Sequence, residues 1–180
     1  MNISRKKKVA DISLAWRKML ADIPNGGSIK VADIRTDILY DGTPVYKGED
    51  NLWHPIYTAV MQANAGASAT SYKVLKGHNL HVGDTIYNGS SHHSTISAIT
   101  TSNAAYDEIT VAATLTAAST GDVLVVGDNL PKGLVIGHHV VEADMNLETG
   151  IGVIGTVMEV FMKTSLSTAQ KAALSGIVFV

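Results

Sequence analysis

The feature that most limits this chain is the brevity of its apolar segments. From residue 28 onward, β-branched and aliphatic residues come in short runs that a turn signal then cuts. Ile38-Leu39-Tyr40 ends at Asp41-Gly42, and Leu80 to Tyr87 ends at Asn88-Gly89. Val123 to Val126 lies between Gly121-Asp122 and Gly127-Asp128. Segments of roughly four to seven residues between turns build strands rather than long helices. Such spacing suits a small barrel or sandwich. The expected fold is therefore mainly β, made of small barrel or sandwich units, with one N-terminal helix and one short C-terminal helix.

Composition narrows the function classes. Ala, Gly, Ser and Thr supply 66 of the 180 residues, whereas Phe and Trp supply two each. A chain so rich in small side chains has few bulky anchors for a deep pocket. Cysteine is absent, so disulfide frameworks, thiolate nucleophiles and Cys-based zinc sites are excluded together. The net charge of −2 creates no bulk field for nucleic acid or an anionic membrane. No apolar run approaches the roughly 18 residues that span a bilayer. The basic N-terminus has no continuous apolar stretch of the signal-peptide kind, so secretion by that route is not expected.

Charge is distributed unevenly. Arg5, Lys6, Lys7, Lys8, Arg17 and Lys18 face only Asp11 among the first twenty residues. Ile12, Ala15, Trp16, Met19, Leu20 and Ile23 fall at helical spacing, which predicts an amphipathic helix capped by Asp11 and stopped by Pro24-Asn25-Gly26-Gly27. Residues 1–27 read as a basic helical arm. Lys6, Lys7, Lys8, Trp16, Met19 and Leu20 are its candidate partner-binding residues. Residues 63–71 are small and polar throughout and read as a linker. On that basis 28–71 and 128–180 form a β-rich core, and 72–127 is an inserted small barrel-like module. Ser167 and Gln170 have the spacing of a capping box at the start of a short helix. Ile177-Val178-Phe179-Val180 reads as a buried strand and a candidate oligomer interface.

Sites of chemistry are sparse. His92-His93 and His138-His139 are adjacent pairs, and neighbours on a strand point to opposite faces, so neither pair is expected to ligate one metal. His78, His81 and Asp84 are a weaker metal candidate. Ser91-His92-His93-Ser94 does not make a catalytic triad, which needs a base held by a third group. Gly150-x-Gly152-x-x-Gly155 has the letters of a dinucleotide fingerprint without the flanking strand and helix, and reads instead as close strand packing. No catalytic residue, metal or cofactor is expected. A small-molecule or carbohydrate site near Trp53, His54 and Tyr57, in the densest bulky patch, is the alternative.

Three segments carry a resemblance. Lys132 to Gly137, Gly150 to Lys163 and Leu166 to Val180 are similar to tailed-phage head-decoration, or head-fibre, proteins, with Gly155-Thr156-Val157, the Ala169 to Leu174 helix and the final Gly176-Ile177-Val178-Phe179-Val180 as the matching elements. The likeness is confined to the C-terminal third of the chain. It implies a β-rich, non-enzymatic virion protein that decorates or stabilises a phage or prophage capsid as a homotrimer. The implied partners are its own copies and the major capsid protein, with no nucleic acid or membrane, and assembly in the host cytoplasm. A tail or baseplate component is the other structural reading.

Overall fold

The computed structural model describes residues 14–89 and 92–180. The chain first lays down β1 (Trp16–Asp22), β2 (Gly27–Ile29), β3 (Ile38–Leu39), β4 (Pro44–Lys47) and β5 (Trp53–Pro55). It continues through β6 (Thr58–Val60), β7 (Ser71–Val74), β8 (Thr85–Tyr87), β9 (His93–Thr100), β10 (Asp107–Val111) and β11 (Val123–Val126). Then come β12 (Gly133–Ile136), β13 (His139–Val140), β14 (Leu147–Val157), a short helix α1 (Thr168–Ala173) and β15 (Ile177–Phe179). The fold is mainly β, as the turn spacing requires.

Two small closed sheets result. In the first, β14 pairs β12, β12 pairs β4, β4 pairs β5, β5 pairs β2, and β2 returns to the opposite edge of β14. Ile29, Val45, Trp53, Val135 and Ile151 fill this five-stranded barrel. The second runs β6-β11-β8-β9-β10-β7. The Met61–Val74 bridge closes it, together with the Leu75 N–H donating to the Val60 carbonyl. Its strands alternate as period two demands: in β10, Asp107, Ile109 and Val111 are buried, and the residues between them are less so. Tyr72, Ile86, Ile96, Ile109 and Leu124 form its interior.

The second barrel lies between β5 and β12 of the first. The strands that lead in and out are neighbours, with Thr58 opposite Val125 and the Val126 N–H donating to the Tyr57 carbonyl. This barrel starts at Thr58, ahead of the expected linker. Residues 63–71 themselves hold structure: Ala65 bridges Ala118, and the Tyr72 hydroxyl donates to the Ala69 carbonyl. Turns carry a repeated device. Asp84 and Asp122 each donate N–H to the carbonyl three residues back and accept, through the carboxylate, the N–H of that same residue. Gly83 and Gly121, at φ of +97° and +90°, supply the left-handed position the turn needs. The aspartates thus close the turn that precedes each strand.

The N-terminal helix expected over residues 11–23 is corrected by the structure. Trp16–Asp22 is a strand along β14, with Trp16 opposite Val157 and Met19 opposite Gly155. Asp11, Ile12, Lys6, Lys7 and Lys8 lie outside the described residues. Helical spacing in so short a stretch needs only a few coincident apolar residues. A helix there would also leave one edge of β14 without hydrogen-bond partners, and long-range pairing overrides a weak local preference. The C-terminal capping box is as expected: Ser167 Oγ accepts from Gln170 N, and Gln170 Oε1 accepts from Ser167 N.

Trp16 shows why β14 carries its glycines. Its backbone N–H donates to Asp41 Oδ2 at 3.0 Å, and its indole Nε1–H donates to the Val135 carbonyl at 3.0 Å. A Cβ at Gly152 would strike the indole ring, and one at Gly155 would strike both the ring and the Lys18 carbonyl. The glycine run is a bed for an aromatic ring, not a phosphate loop. Gly152→Val should therefore expel the ring and cost about 1–3 kcal/mol of stability. Urea unfolding reads this as a lower midpoint at unchanged slope.

A clamp of charged and aromatic side chains joins the barrels. The Arg35 guanidinium meets Asp84 through two bonds of 2.6 and 2.7 Å and donates to the Asn79 carbonyl at 2.8 Å. Arg35 also lies over the Tyr57 ring, and its N–H donates to the Tyr57 hydroxyl, which donates in turn to the Asp33 carbonyl. Bidentate, partly buried pairs of this kind are strong and oriented. Asp84→Asn should lose about 1.5–3 kcal/mol by weakening a charge-assisted pair, and hydrogen exchange should accelerate first at the junction around residues 79–84.

Candidate docking face and inter-barrel cleft

Beyond the first barrel, β14 continues as the centre of a three-stranded flap with β1 and β15. Val178 lies opposite Thr156, and Thr156 opposite Lys18. Period two then sends Ile154, Thr156, Val178 and Val180 to one side, and Gly155, Val157 and Ile177 to the other. The inner side is buried with Leu134, Leu166 and Leu174. The outer side is open: Ile154 is 44% exposed, Val178 60% and Val180 56%. Leu20, at a register irregularity in β1, is 65% exposed.

These positions sort the expected partner residues. Met19 and Leu20 are exposed, whereas Trp16 is locked into the glycine bed and serves the fold. Of the C-terminal four, Ile177 packs inward, Phe179 is half-buried, and Val178 and Val180 face out. Sequence spacing had separated the two ends of the chain, yet β14 brings them onto one sheet. The outer edge of β1 carries Arg17, Lys18 and three register shifts, which blunt strand-to-strand addition. The flap therefore offers a face rather than an edge.

The second feature is a cleft of about 510 Å3 where the barrels meet. Asp33, Tyr46 and His54 line one wall, and His81, Gly127 and Asn129 line the other. His54 Nδ1 lies 2.5 Å from Asp33 Oδ2, and its Nε2 lies 3.0 Å from Asp50 Oδ1. The hydrogen bond from His54 holds the Asp50 carboxyl at about 2, with the Leu52 N–H and Lys30 adding to the effect. Tyr46 stacks on His54 at 5.1 Å and 21°. Burial, then the nearby Asp33 and Asp50 charges, push its phenol up. Burial likewise raises Tyr57.

Of the bulky patch read from sequence, His54 and Tyr57 border this cleft, whereas Trp53 points into the barrel core. Asp33, Tyr46, His81 and Asn129 come from four separate segments, and no local sequence pattern links them. The other histidines have separate tasks. His138 Nδ1 accepts from the Asp41 N–H, and His139 Nε2 lies 2.7 Å from Thr149 Oγ1. His93 stacks on Tyr87. His78 faces Asp107, and Asp84 is engaged by Arg35, so His78, His81 and Asp84 do not converge. Among the described residues, no three His, Asp or Glu side chains are grouped to hold a metal ion. No protein-family model, curated protein or solved structure matches the chain.

His78 gives the second barrel a pH dependence. It is buried, its Nδ1 accepts the Leu80 N–H at 3.2 Å, and burial lowers its pKa against the smaller opposing pull of Asp107. The folded state thus disfavours the charged ring, so stability is full above the unfolded pKa of about 6.5 and falls as pH drops through the lower folded value. Thermal melts between pH 8 and pH 5 should show this decline, and His78→Asn should flatten it.

Proposed function

We propose that the chain is a non-enzymatic structural subunit that docks on a protein shell, decorating or stabilising a virion capsid as a homotrimer. The observation that carries the reading is the open apolar face of the β1–β14–β15 flap. Large exposed apolar patches on a folded domain mark interaction surfaces. This one gathers Ile154 of β14, Val178 of β15 and the adjoining Val180, and the neighbouring β1 adds the exposed Leu20. The segments that resemble head-decoration proteins, Gly150 to Lys163 and Leu166 to Val180, contribute most of β14 and all of β15, two of the three strands of the flap. Two small barrels with short strands and tight turns make a rigid spacer. The basic residues near the N-terminus would speed docking on an acidic lattice, and less so as salt rises. A tail or baseplate location would use the same face.

Ile154→Glu with Val178→Glu should leave the circular dichroism and melting of the protein close to wild type, since both side chains already face water. The same pair should abolish the trimer in sedimentation equilibrium and co-sedimentation with capsids. A wild-type protein that stays monomeric at micromolar concentration and does not sediment with capsids would sink the reading. Residues 1–13 can be removed in the same assay. A cut at residue 23, by contrast, also takes the buried Ala15 and the Trp16 anchor and should unfold the first barrel.

A further inference from the structure

We propose that the cleft between the barrels binds a neutral saccharide, a role separate from docking through the flap. Its polar groups divide into those the fold consumes and those it leaves facing the space. Arg35 is spent on Asp84 and the Asn79 carbonyl, the Tyr57 hydroxyl on the Asp33 carbonyl and the Arg35 N–H, and both His54 nitrogens on Asp33 and Asp50. Asp33 Oδ1, the Tyr46 hydroxyl, the His81 ring and the Asn129 amide remain. Among the described residues none of these four makes a hydrogen bond within the chain.

The chemistry of that set selects the ligand. A phenol and a carboxamide each donate and accept, an imidazole adds ring nitrogens that form hydrogen bonds, and a carboxylate oxygen accepts. A ligand that matches them must offer hydroxyls on several sides. Anions are disfavoured, because Asp33, Asp50, Asp84 and Asp128 outnumber Lys30 and Arg35, and each of those two cations is already paired. An organic cation would suit the charge but would leave the donors of Tyr46, His81 and Asn129 unused. Tyr46, stacked on His54, adds an aromatic side chain to the lining. The first wall is also held in place: His54 fixes Asp33 by hydrogen bond and Tyr46 by stacking, so two ligand-facing groups share one support. A volume near 510 Å3 at the boundary of two domains is within the usual range for small-ligand sites, about 300–1,000 Å3.

The test is a titration of the full-length 15N-labelled protein, followed by amide shifts. The probes are glucose, galactose, mannose and N-acetylglucosamine, their short oligomers, and choline and sulfate as charged controls. Saturable shifts at residues 33, 46, 54, 81 and 129 with at least one neutral sugar are expected. Comparison of monomer with oligomer then tells a free sugar from the end of a longer glycan. Asn129→Ala alters an exposed loop residue that holds nothing in the fold, and should weaken binding at least tenfold. Asp33→Asn should do the same, with its melting curve as a check on folding. Val178→Glu should leave sugar binding unchanged. The proposal is overturned if no neutral sugar shifts these residues at millimolar concentration, if only choline or sulfate does so, or if Asn129→Ala binds like wild type.

Discussion

The rest of the structure depends on the pairing capacity of one strand. β14 is eleven residues long, the longest of the described strands, and it uses both edges along its length. Its first part closes the barrel between β2 and β12, and its last part carries β1 and β15. To do both, the strand must be narrow where another element crosses it. Gly152 and Gly155 provide that narrowness for the Trp16 indole, and Asp41 ties the start of β1 to the end of β12 by accepting the N–H groups of Trp16 and Gly137. Asp41 is 1% exposed, so its carboxylate is stabilised by backbone donors rather than by water. A single side chain anchored this way ties the first residues of the fold to its last third.

The same economy explains how two barrels share one chain. A second closed sheet can be placed inside the first only if its two ends lie side by side, and the β6–β11 pair ensures this. What keeps the barrels from swinging is polar rather than apolar. Arg35, Asp84 and Tyr57 form a directional clamp, and Thr58 Oγ1 adds a hydrogen bond to the Ser165 carbonyl. A polar joint leaves room beside it. The cleft exists because the contact between the barrels is made by a few long side chains and not by packed sheets. Docking face and cleft thus lie at different places for different reasons: the flap is surplus strand beyond the barrel, and the cleft is space beside a clamped polar joint.

Much of this was legible in the residues. Turn dipeptides such as Asn88-Gly89 mark strand ends because only a few residues tolerate a left-handed backbone, and Gly89 has φ of +62°. Ser167 and Gln170 announce their helix because both partners of the capping box lie within four residues. Local signals of this kind need no knowledge of the rest of the molecule. Asp41-Gly42 shows their limit. The turn is present, but β3 before it pairs with β13 and β4 after it with β12 and β5, so no hairpin forms.

The sequence by itself therefore determined the β class, the turn positions, the C-terminal helix and the lack of cysteine chemistry, all set by short-range sterics and composition. Tertiary structure alone decided that residues 16–22 form a strand, since the unpaired edge of β14 outweighs an approximate helical spacing. It also decided that Trp53 belongs to the core, and that Asp33, Tyr46, His81 and Asn129 face one space. Those outcomes rest on contacts between residues tens of positions apart. Periodicity in a window cannot register such contacts, because hydrogen-bond satisfaction and burial are properties of the assembled sheets.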